Sequence, residues 1–102
     1  MIHARLWQSE DTLGFEISGH AGYAAHGEDI VCAAVSAVAQ AVAMGLEMVA
    51  GASERAQIRD GFLSWSGENR HDVLVLWRTL RLALLDIAQT HPTYLVVEEN
   101  VT

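Results

Sequence analysis

The chain has 102 residues, 51% of them hydrophobic, an ordinary globular composition that suits one domain over residues 1–102 and not a disordered one. Six basic against 13 acidic residues give a net charge of −7, a surface that repels phosphate backbones and argues against nucleic acid as a direct partner. The same charge steers a basic polypeptide towards the protein, and the single cysteine, with no internal disulfide to form, fits a reducing cytoplasm.

The opening residues lack the continuous apolar core of a signal peptide. Ile2, Ala4 and Leu6 then alternate with His3, Arg5 and Trp7, and Leu13, Phe15 and Ile17 alternate with Gly14, Glu16 and Ser18. That period of two predicts two half-buried strands, joined as a hairpin by the polar Glu10-Asp11-Thr12. Residues 20–28 hold two glycines and two histidines without periodicity and read as a loop. Asp29 is a good N-cap for a helix that runs to about Ala50 and stops at Gly51. This helix is apolar on most sides, which predicts packing on more than one face. Its length raises a membrane question, but Ser36, Gln40 and Glu47, an Ala-rich composition and the absence of basic flanks favour a buried helix of a soluble protein.

Gln57–Gly67 is strand-like, with a phase break at Asp60-Gly61 that fits either a tight hairpin or a bulge. Leu76, Trp77, Leu80, Leu84, Ile87 and Ala88 form a stripe at helical spacing, ended by Pro92. Tyr94–Val97 is the last strand, followed by the acidic Glu98-Glu99. The order is ββαββαβ. Two helices cannot cover both faces of so short a sheet, so both are placed on one face, as an α+β two-layer sandwich.

The chemistry concentrates in residues 19–36. With Asp29 as N-cap, Cys32 falls in the first helical turn, where unsatisfied amides and the positive end of the helix dipole favour an anion. The dipole contributes only about 0.3–1 kcal/mol, and Glu28 and Asp29 oppose it, so helix position alone does not make a nucleophile. A histidine beside the sulfur does. His20 follows directly on a strand and is anchored by the sheet, whereas His26 sits mid-loop, and His3, His71 and His91 have no sequence reason to meet Cys32. His20 is therefore the expected base. Ser36 lies one turn on from Cys32, either touching a substrate backbone or bonding back to the Cys32 carbonyl. Gly22 and Gly27 permit the turn, let the loop move as a lid, or do both. Cys32, His20 and His26 match no metal-ligand spacing, so no metal is expected.

Gly19-His20-Ala21 followed by Asp29-Ile30-Val31-Cys32-Ala33-Ala34-Val35-Ser36 resembles the bacterial ribosomal-processing cysteine protease family, Prp, and the resemblance covers the whole chain. It implies two helices on one side of a five-stranded mixed sheet, which favours the hairpin at Asp60-Gly61, and a homodimer. It implies a cysteine endopeptidase that removes the N-terminal extension of large-subunit ribosomal protein twenty-seven, with His20 and Cys32 catalytic. Gly19, Ala21, Gly22, Asp29 and Ser36 are the implied supporting residues, and residues 21–28 the mobile segment over the cleft. Asp29 either orients His20 or only caps the helix, and first-turn amides are expected to stabilise the oxyanion. No cofactor is implied. A thiol hydrolase or acyltransferase with another substrate, and a non-catalytic ribosome-associated binding module, are the competing readings.

Overall fold

The computed structural model describes residues 1–22 and 29–102. The elements are β1 (Ile2–Gln8), β2 (Thr12–Ser18), α1 (Ile30–Met48), β3 (Gln57–Arg59), β4 (Phe62–Glu68), α2 (His71–Thr90) and β5 (Leu95–Val101). They form one five-stranded sheet in the order β3-β4-β2-β1-β5. All pairs are antiparallel except β1 with β5, so the sheet is mixed.

The registers turn the alternation in the sequence into one apolar face. Leu6 stands opposite Phe15 and Ala4 opposite Ile17, while Phe15 and Ile17 face Trp65 and Leu63 on β4. All six are buried and share the core with Val31, Val35 and Leu46 of α1 and Val73, Trp77 and Leu80 of α2. Both helices therefore cover the same face. The other face carries Arg5 and Glu16, which are cross-strand partners joined by an ion pair of 2.5 Å. Two indoles fix the layers: buried Trp77 donates to the Gly14 carbonyl of β2 at 2.8 Å, and Trp65 donates to the Glu54 carbonyl at 3.2 Å.

The phase break at Asp60-Gly61 is a hairpin turn, with Arg59 opposite Phe62 and Ile58 opposite Leu63. Gly61 supplies the turn's positive φ, 69°. α2 ends at Thr90, before Pro92, as the missing donor of proline requires. β5 runs further than the sequence predicts, through Glu98-Glu99 to Val101. The acidic pair fits a strand because Glu98 stands opposite Arg5 and Glu99 ion-pairs with Arg81 of α2.

α1 also departs in part from expectation. Val31, Val35, Ala39, Val42, Ala43 and Leu46 are buried, on the side that meets the sheet and α2. The outward side, expected to be packed as well, is open: Ile30, Ala34, Ala37, Ala41, Met44 and Met48 are all exposed, Met48 at 80%. These six positions follow one another at alternating spacings of four and three, the periodicity of a helix-pairing seam. By length and composition α1 is also able to cross a membrane, but here one side of it is part of the domain's core.

Candidate active site

His20 and Cys32 are each placed by a backbone device legible in the local sequence. β2 ends at Ser18, and Gly19 then takes φ 93°, a conformation that side chains disfavour. A Cβ there would also lie 2.5 Å from the Met1 carbonyl oxygen. This turn is tied down by the Gly19 amide, which donates to the Gly61 carbonyl at 2.9 Å. His20 follows on the exposed side, and Ala21 drops into the core. Gly22 takes φ 72°, with no described residue within 4 Å of where its Cβ would stand. Most of the expected lid, residues 23–28 with His26, lies outside the described residues.

Asp29, only 8% exposed, caps α1 as predicted: its Oδ1 accepts the Cys32 amide at 2.9 Å, and its carbonyl accepts the Ala33 amide at 3.0 Å. Cys32 is thereby fixed in the first turn, half-buried, with its Sγ 3.9 Å from Nδ1 of His20. That distance is within reach of a sulfur hydrogen bond, and catalytic contacts of this kind are often long before substrate binds. Nδ1 is the ring nitrogen turned to the sulfur. The Cys32 amide, an obvious oxyanion donor, is already engaged by the Asp29 carboxylate.

Cys32 and His20 open into a groove of about 130 Å³ between α1 and the β3–β4 hairpin. Val35, Ser36 and Ala39 line it from α1, and Ile58 and Phe62 line it from the hairpin. Thr79 and Thr90 on α2 bond back to the carbonyls of Val75 and Asp86, but Ser36 makes no such bond to Cys32 among the described residues. Ser36 is exposed, one turn beyond the thiol. The hairpin's contribution was missed from sequence. Its one signal was Ile58, an apolar residue beside a turn, and it is 60% exposed at the groove's edge. Arg59 lies with its guanidinium 3.9 Å from the centre of the Phe62 ring. His3 stands on β1, His71 opens α2 and His91 follows its last residue, and none of them lines the groove. Among the described residues no three His, Cys, Asp or Glu side chains are grouped to hold a metal.

A thiol beside an imidazole, at the mouth of a partly apolar groove, has the parts for acyl transfer through sulfur. Known proteins share the fold, and a family model covers the site. A solved structure of SMU.848 from Streptococcus mutans superimposes with a TM-score of 0.85, at 26% identity over 100% of this chain and 96% of that one. The essential ribosomal processing protease Prp from S. aureus, solved with a covalently linked product peptide, gives a TM-score of 0.80 at 22% identity, covering 98% of this chain and 100% of that one, and supports the fold. The ribosomal processing cysteine protease Prp of Bacillus subtilis (strain 168) is 43% identical over 53 residues, which span 50% of this chain and 47% of that relative. The model of the family cysteine protease Prp matches residues 1–96, with both the His20 and Cys32 segments inside the match, and the chain belongs to that family.

Proposed function

We propose that the protein is a cysteine endopeptidase that removes the N-terminal extension of large-subunit ribosomal protein twenty-seven. The observation that carries this reading is the 3.9 Å approach of Cys32 Sγ to His20 Nδ1 at the groove. Family membership supports the reaction class, and the relatives named as ribosomal processing proteases support the substrate. The net charge of −7 suits a basic ribosomal protein client.

In this mechanism His20 Nδ1 takes the thiol proton and Cys32 Sγ attacks the scissile carbonyl carbon. Collapse of the tetrahedral intermediate breaks the C–N bond, and the proton on His20 goes to the departing amine. The thioacyl enzyme is then hydrolysed by a water that His20 deprotonates, and the thiol is restored. The chemistry calls for no metal or organic cofactor. Gly19 turns the chain so that His20 meets the sulfur, Ala21 anchors the segment in the core, and Gly22 supplies a second positive φ beyond it. Asp29 fixes the start of α1, and Ser36 faces the substrate backbone along the groove.

The working form is a cytoplasmic homodimer, without nucleic acid or membrane as direct partner. The open, uncharged outward side of α1 supports the dimer, because an acidic chain meets a second copy at least electrostatic cost through a face without charge. Cleavage of a peptide carrying the cognate extension, followed by mass spectrometry of both products, tests the activity. Hydrolysis of a small thioester with the peptide left intact would overturn the substrate assignment.

A further inference from the structure

The β3–β4 turn does more than reverse the chain. A Cβ on Gly61 would lie 3.0 Å from His20 Nε2, 3.5 Å from Cε1 and 3.6 Å from Cδ2. The imidazole thus rests on the surface that glycine leaves bare, with Nε2 towards the turn and Nδ1 towards the sulfur. The Gly61 carbonyl also receives the amide of Gly19, the residue that precedes His20. The turn and the imidazole segment are therefore held together at two points.

We infer that Gly61 is a positioning residue of the dyad: its lack of a side chain sets where the His20 ring sits relative to the thiol. The inference rests on the Cys32–His20 reading. At 3.0 Å the ring has to give way to an added Cβ, or the turn has to open and strain the Gly19–Gly61 bond. The Sγ–Nδ1 contact, already 3.9 Å, has little margin for either movement.

A turn glycine at φ 69° would be needed for backbone reasons in any case, and the chain supplies its own control. Gly51, beyond the end of α1, has the same φ of 69°, but a Cβ added there meets none of the described residues within 4 Å. Gly61→Ala and Gly51→Ala both put a side chain at positive φ and differ in the contact with His20. Gly61→Asn is the companion variant, because asparagine accepts left-handed backbone more readily while still presenting a Cβ to the ring.

The experiment compares these variants for peptide cleavage, for alkylation of Cys32 by iodoacetamide, and for thermal unfolding. Gly61→Ala and Gly61→Asn are expected to lower kcat roughly tenfold or more with KM nearly unchanged, and to change the alkylation rate. Gly51→Ala is expected to match the wild type in kcat and alkylation while losing thermal stability much as Gly61→Ala does. With His20→Ala in place, a further Gly61→Ala change is expected to leave alkylation unaltered, since the group it displaces is gone. Wild-type kcat and alkylation in the folded Gly61 variants would overturn the inference and leave the dyad standing. Undiminished cleavage by His20→Ala would instead overturn the dyad, and the role of Gly61 with it.

Discussion

Asp29 accepts the amide of Cys32 at 2.9 Å, so the residue that starts α1 is bonded to the backbone of the proposed nucleophile. Asparagine keeps an Oδ1 acceptor, and Asp29→Asn is expected to retain the fold and most of the cleavage rate. Asp29→Ala removes the cap, and urea titration should show a loss of about 1 kcal/mol together with reduced cleavage. An Asp29→Asn enzyme of native stability that is inactive would instead make the carboxylate charge essential to orienting His20.

Cys32→Ala and Cys32→Ser are expected to keep the circular dichroism spectrum and the oligomeric state and to abolish peptide cleavage. In the wild type, iodoacetamide at about pH 6 should label Cys32 faster than it labels a free thiol of ordinary reactivity. Labelling that becomes fast only with substrate present would mean that the pair closes during binding.

Ile58 gives the groove an apolar edge while remaining 60% exposed. Ile58→Asp is expected to raise KM for the extension peptide several-fold, with unfolding free energy changed by no more than about 0.5 kcal/mol, as for surface positions. Steady-state kinetics and a denaturant titration on one preparation check both halves. An unchanged KM would place the peptide on a different path past Cys32.

Met44 and Met48 lie on the open side of α1, 58% and 80% exposed. The double change Met44→Glu and Met48→Glu puts like charges on that seam in both copies and is expected to shift the protein to a monomer in sedimentation velocity. It should also abolish any dependence of Tm on protein concentration. A dimer that survives the double change would assign the contact to another surface.

Much of this architecture is legible because burial is periodic. Ile2, Ala4 and Leu6 alternate with polar neighbours since one sheet face is covered, and Asp29 announces its helix through a local bond. The features that were not legible depend on meetings between residues distant in sequence. Gly61 reads as a turn residue because nothing near it in the chain records His20 against its bare Cα. Glu98-Glu99 reads as an acidic tail because the partner of Glu99, Arg81, lies on α2. An α1 that is apolar on most sides reads as packed on several of them, and an open apolar seam has the same composition as a core.

The parallel pairing of β1 with β5 bears on how the molecule folds. Ile2 pairs with Leu95, so this contact closes a loop of almost the whole chain, while the described residues that line the groove run from Ile2 to Leu63. Closing so long a loop is entropically slow, and until it closes β1 presents an unpaired edge to other chains. Its pairing passes the open edge to β5, whose Glu98 and Glu99 put charge on a strand that other chains would otherwise extend. Damage to β5 should appear as lost yield of folded enzyme before it appears as lost turnover.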